Sequence, residues 1–233
     1  HEKAEEIFRA ASDEKNLAVA LKNMGNVYRS QGRSPEAMKL FEQALEMSRR
    51  VGEEPNVAKS LNNIGMVHEK QGRYEEAMRS FDESLAIKRR IGDEPGAART
   101  LNNMANVHYR QSRYDEARKL FEESLAMRRR LGDEPGMAGS LCGIAMVCAR
   151  RKAYGEAMAR YDEALAIYRR LGDEPSIAQL LNNIGVAYKD QARYNEAMGR
   201  YGESLAIRRR LGDLGGGLRE PLVPAAERHA ASR

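Results

Sequence analysis

A five-residue phrase recurs along this chain at a fixed spacing, and that recurrence limits the fold more than any other feature. VGEEP begins at 51, IGDEP at 91, LGDEP at 131 and again at 171, and LGDLG at 211, each 40 residues after the last. A weaker copy, ASDEK, begins at 11. A fixed period of this length marks a repeat architecture in which each copy is one supersecondary unit. Such a unit cannot bury its apolar face alone, so copies must stack. Five units are expected over 11–213, with boundaries near 51, 91, 131 and 171. Residues 1–10 (HEKAEEIFRA) align with 41–50 (FEQALEMSRR) and read as the second helix of a truncated preceding repeat. The chain starts without Met and inside a unit, so a longer array is expected upstream. Residues 214–233 leave the pattern, and their Gly, Pro and small residues predict a flexible tail.

Within one unit the apolar positions fall at helical spacing. In the second unit Pro55 is pre-set for a first helical turn, and the acidic residues before it favour a helix N-terminus. Leu61, Ile64, Gly65 and His68 then follow at i, i+3, i+4 and i+7, one face of a helix. Gln71-Gly72-Arg73 ends this helix A. Tyr74, Ala77, Met78, Phe81, Ser84 and Leu85 make a second stripe, helix B, which stops at Gly92, a C-terminal capping residue. The fold class is therefore all-α, a stack of antiparallel helix pairs.

Composition removes several alternatives. The chain is 31% charged, without Trp, and its apolar residues are scattered. No stretch reaches the roughly 18 consecutive apolar residues of a membrane span. The charged, helical start is unlike a secretory signal. The two cysteines, Cys142 and Cys148, stand six apart on one helix, about 120° around its axis, a poor geometry for a bridge. That usage predicts a reducing, cytoplasmic setting. No metal-ligand spacing, phosphate-binding glycine loop or nucleophile motif occurs. The expectation is no enzyme, no cofactor, no metal and no small-molecule substrate.

Leu61, Ile64, Gly65, His68, Ala77, Phe81 and Ser84 stand in the columns of the tetratricopeptide repeat (TPR) signature, and the other units repeat them, as in Leu181, Ile184, Gly185, Tyr188, Ala197 and Tyr201. The chain thus resembles TPR proteins over roughly 1–213. Its period exceeds the usual TPR length of about 34 residues. The phrases LNNIGMVHEKQGRYEEA and LAIKRRIGDEP look like the longer repeats of kinesin light chains and of the Partner-of-Inscuteable family of G-protein modulators. The resemblance implies a right-handed superhelical solenoid whose concave channel is lined by helix A, and a role in binding proteins.

Helix A carries a further stripe, Lys59, Asn62, Asn63, Met66, Glu69 and Lys70, centred about 150° from the apolar one. The resemblance assigns it to the channel. Its columns are rich in asparagine: Asn23, Asn63, Asn103 and Asn183 in one, Asn62, Asn102 and Asn182 in the next, Asn26 and Asn106 in a third. Asparagine is a middling helix former, so a ladder of it needs a reason. An amide both donates and accepts and can pair with the backbone of an extended peptide; helix-to-helix hydrogen bonding is the competing explanation. Lys22, Arg29, Lys59, Lys70, Arg99, Arg110, Arg150 and Lys189 face only Glu69 and Asp190 on this stripe. A concave surface focuses such a field, which predicts an acidic, extended peptide ligand. Its candidate contacts are Lys22, Asn23, Asn26, Lys59, Asn62, Asn63, Arg99, Asn102, Asn103, Asn106, Arg110, Asn182 and Asn183. Lys22, Asn26, Asn63 and Arg99 also stand in the columns that carboxylate-clamp TPRs of chaperone adaptors use to grip a C-terminal carboxylate. The fifth clamp column, normally basic, is Asn103.

Each helix B ends in a basic run: Arg49-Arg50, Lys88-Arg89-Arg90, Arg128-Arg129-Arg130, Arg169-Arg170 and Arg208-Arg209-Arg210. An anion-binding module for nucleic acid or phospholipid is the alternative function these suggest. Cations at helix C-termini also oppose the helix dipole, and acidic residues follow every run, so the runs read first as structural. Nucleic acid and membrane are the disfavoured partners, and self-association through exposed array ends is a further option. His68 and His108 share a packing column and read as core or half-buried. The fourth unit, with Cys142, Gly143, Ala145, Ala149, Lys152 and Ala153 at divergent positions, reads first as a decayed repeat, with a kink or a hydrophobic side-chain pocket as the alternatives.

Overall fold

A computed structural model describes residues 2–212, with side-chain environments from 13 onward. Its described residues form ten α-helices and no strand: α1 (Glu2–Ser30), α2 (Ser34–Arg50), α3 (Glu54–Lys70), α4 (Tyr74–Arg90), α5 (Glu94–Arg110), α6 (Tyr114–Leu131), α7 (Glu134–Arg150), α8 (Tyr154–Leu171), α9 (Glu174–Asp190) and α10 (Tyr194–Arg210). Odd-numbered helices are the helix A of the sequence pattern and even-numbered ones the helix B. The expected tail at 214–233 lies outside the described residues.

The breaks follow from local chemistry. After α4, Gly92 takes a left-handed φ of 72°, and the Asp93 N–H caps the Lys88 carbonyl at 2.9 Å. That conformation costs a Cβ-bearing residue strain and glycine none. Asp93 then accepts the Gly96 N–H at 2.9 Å, as Asp133 accepts Gly136 and Asp173 accepts Ser176. The VGEEP copy puts Glu53 at this place, and its longer side chain makes no such cap. The ASDEK copy at 11–15 has neither Gly nor Pro, and α1 runs through it as one helix. Residues 2–10, read from the sequence as the end of a preceding repeat, are thus continuous in backbone with the following helix A.

The chain divides into two compact units at Val107/His108, inside α5. In unit 1, α1 packs on α2, α2 on α3 and α3 on α4. Phe41 and Phe81, both fully buried, fill its core with Ala37, Ala58, Leu61, Ile64 and Val67. In unit 2, α6 packs on α7, α7 on α8, α8 on α9 and α9 on α10, around Phe121, Leu141, Ile144, Tyr161, Leu181 and Ile184. The stripes read from the sequence are these cores. His68 and His108 are half-buried in the packing column, as expected.

The glycine column explains how close the helices come. A Cβ on Gly25 would lie 2.6 Å from the Phe41 ring, one on Gly65 2.6 Å from Phe81, and one on Gly185 2.5 Å from Tyr201. In these three repeats the helix B ring packs against the glycine of its own helix A. The third repeat has Ala105 in that column; within unit 2 its Phe121 ring lies against Gly143 of α7, where a Cβ would come within 2.4 Å. At Gly143 the place of the asparagine ladder is thus taken up by the Phe121 ring.

Candidate functional site

Three successive helix A elements of unit 1 turn their polar stripe toward one another. Lys22 and Asn26 of α1, Lys59, Asn62 and Asn63 of α3, Gly96 and Arg99 of α5, with Lys88 of α4 and Asp93 of the following link, line a recess of about 170 Å³. Six of the thirteen residues singled out in the sequence meet here. Lys59 and Arg99 are exposed, and Lys22, Asn26 and Asn63 half-buried. The Lys22 Nζ also donates to Asn56 Oδ1 at 3.5 Å. Burial, and then the neighbouring Lys59 charge, hold the Lys22 amine below its ordinary pKa.

Asn62 departs from expectation. It borders the recess but is only 6% exposed, with its amide engaged by the neighbouring helix. Its Oδ1 accepts from Thr100 Oγ1 and from Asn103 Nδ2, both at 3.1 Å. One repeat is tied to the next by these bonds. For Asn62 and Asn103 the ladder is therefore helix-to-helix hydrogen bonding, the explanation that competed with ligand contact. Asn23 is exposed on α1, and Asn102 and Asn106 are half-buried on α5.

Lys88 was missed as a site residue. It stands first in a basic run read as a solvated helix end, yet it is 3% exposed, and its Nζ donates to Thr100 Oγ1 at 2.7 Å. Phe81, Ser84, Leu85 and Lys88 sit at i, i+3, i+4 and i+7, so extending the buried stripe by one step reaches it. Burial drives the Lys88 pKa down to about 8; Asp93 opposes the shift, and Arg99 and Lys59 add to it. Arg128, in the same column of the next repeat, is likewise buried.

The outer arginines of the runs behave differently. Arg49 pairs with Glu83 at 2.6 Å, Arg129 with Glu163 at 3.2 Å, Arg170 with Glu134 at 2.9 Å and Arg210 with Glu174 at 2.5 Å, while Arg90 pairs with Glu54. These exposed pairs give the outer arginines carboxylate partners on neighbouring helices.

In unit 2 the same columns give a smaller space. Asn183 lines a recess of about 30 Å³ with Tyr109, Met146, Ala149, Arg150, Tyr161, Val186, Ala187 and Asp190. Its Nδ2 donates to Cys142 Sγ at 3.5 Å, and Arg150 Nε donates to the Tyr109 hydroxyl at 3.1 Å. Asn182 and Arg110 are half-buried. Burial pushes the Cys142 and Cys148 thiols up to about 11, and both are free. Among the described residues no group of three or more His, Cys, Asp or Glu is placed to hold a metal, and no helix is long and apolar enough to cross a membrane.

Comparison with known proteins gives one family. The family model described as Tetratricopeptide repeat matches residues 1–50, 56–130 and 136–210. No curated protein matches the chain in sequence. Among solved structures, BtubC (BKLC) from P. vanneervenii is similar at 19% identity and a TM-score of 0.72, over 93% of this chain and 91% of that one. A Podosopora anserina protein described as a kinesin light chain, with nearly identical TPR-like repeats, matches at 18% identity and a TM-score of 0.63, over 85% and 97%. A Rap protein in complex with competence and sporulation factor matches at 14% and 0.63, over 86% and 66%. At these identities the likeness is one of fold.

Proposed function

The chain belongs to the tetratricopeptide repeat family, and from that premise we propose that it is a protein-interaction scaffold whose unit 1 holds an extended acidic segment of a partner along α1, α3 and α5. The observation that carries this reading is the recess shared by Lys22, Asn26, Lys59, Asn63 and Arg99. Cations and amides from three consecutive repeats converge there, as recognition of an extended chain requires. Carboxylates on the ligand would meet Lys59 and Arg99 in charge-assisted hydrogen bonds. Asn26 and Asn63 are free to take its backbone N–H and C=O, since helix packing consumes Asn62 and Asn103 instead. The solved Rap protein complex offers a precedent for a partner held on this fold.

The alternative, an anion module on the helix B edge, has less support, because glutamates pair with many of those arginines. Charge reversal separates the two readings. A random acidic nonapeptide library is passed over the immobilised protein, and bound peptide is quantified. Lys59→Glu with Arg99→Glu is expected to abolish retention, and Arg89→Glu with Arg129→Glu to leave it within about twofold. Retention that survives the first pair and falls with the second overturns the proposal.

A further inference from the structure

We infer that the unit 1 recess is a receptor for a phosphoryl group carried on a peptide side chain, a phosphoserine or phosphothreonine, held by Lys22, Lys59, Lys88 and Arg99. The inference rests on the peptide reading above and narrows its chemistry. Four cations and one carboxylate line the recess, a net charge of +3 when all are ionised. The single carboxylate, Asp93, is occupied as the N-terminal cap of α5, where it accepts the Gly96 N–H. A ligand carboxylate brings one negative charge and two oxygens. A phosphoryl group brings up to two charges and three acceptor oxygens, a closer match to the cations present.

Lys88 makes the site built rather than superficial. Its Nζ has three N–H donors, and Thr100 Oγ1 takes one of them. Asp93 offsets part of the cost of burying this ammonium, and the cations of α3 and α5 add to that cost. A dianion in the recess reverses it. The volume, about 170 Å³, is several times the ~30 Å³ share of one water molecule, enough for a tetrahedral oxyanion. Gly96 lets the Asp93 carboxylate cap α5 at close range, since a Cβ there would lie 2.0 Å from it. The corresponding residue of the next repeat, Arg128, reaches further, its Nη1 within 2.3 Å of where a Cβ on Gly136 would stand. Lysine at 88 stops short and leaves room.

Isothermal titration tests this at constant ionic strength and pH 7. The probes are N-acetyl-phosphoserine amide, N-acetyl-aspartate amide and inorganic phosphate. The phosphoserine probe is expected to bind at least tenfold tighter than the aspartate probe. Lys88→Met and, separately, the exposed Arg99→Gln should each erase most of that margin, while Arg129→Gln in unit 2 should not. Melting curves identify a variant that has lost its fold, and Arg99→Gln, on the surface, then carries the test. Equal affinity for phosphoserine and aspartate overturns the inference but leaves the acidic-peptide reading standing if the library is still retained. Inorganic phosphate bound as tightly as the phosphoserine probe overturns the side-chain assignment in favour of a free-anion site. Binding of no probe, with no retention of the library, removes both proposals.

Discussion

Lys88 shows how much one position can carry. The folded chain holds its amine at a pKa of about 8, against 10.5 for an ordinary lysine. Below pH 8 both folded and unfolded chains bind the proton, and burial of the charge is a standing cost. Between about 8 and 10.5 the unfolded chain binds more protons than the folded one, so stability rises with pH across that window. The full span is worth up to about 3 kcal/mol. Lys88→Met is expected to raise the melting temperature at pH 7 and to flatten the rise from pH 8 to 10, as read by circular dichroism. A wild-type profile already flat over that range would mean the amine titrates normally. The sequence could have revealed Lys88, since it lies on the buried stripe one step beyond Leu85. What hid it was charge, because a lysine in a basic run is read as solvated whatever its register. Asn62 was hidden in the opposite way. A polar residue on a polar stripe gives no sign that Thr100 and Asn103, 38 and 41 residues further on, close over it.

At the scale of helices, the boundaries were legible because the breaks are chemical: glycine at a left-handed turn, aspartate as cap, proline in the first turn. ASDEK lacks these and breaks nothing. Contacts between pairs were less legible, since they depend on where a ring has room. Gly143→Asn would restore the ladder found at 63, 103 and 183 and place a side chain in the volume of the Phe121 ring. We expect it to cost ~1–3 kcal/mol, as overpacking in a filled core does. Gly199→Ala on α10 is the control, because a Cβ there meets open space. It should raise the melting temperature slightly, as alanine suits a helix interior better than glycine. Equal effects of the two changes would show that Phe121 does not rest on Gly143.

For the whole molecule, the electrostatic balance matters more than any one pair. The chain carries a net +5, while many helix B arginines are answered by glutamates. Where α1, α3 and α5 line the unit 1 recess, four cations stand with one carboxylate. Attraction between exposed charges fades beyond a Debye length, about 10 Å at 0.1 M salt and 3 Å at 1 M. Retention of the acidic library is therefore expected to fall at least tenfold between 50 and 500 mM NaCl. Salt-insensitive retention would point to an apolar mode of binding.

Phe121 and Gly143 also bear on how such an array can change in length. Tandem copies are gained and lost as whole periods, and identical copies tolerate this because every junction is alike. Here the third copy hands its ring to the fourth. Excision of residues 131–170 would bring Asn183 to the place of Gly143, and the ring would meet a side chain. A chain shortened in this way is expected to need a small residue at 183 to keep the packing that Phe121 has now.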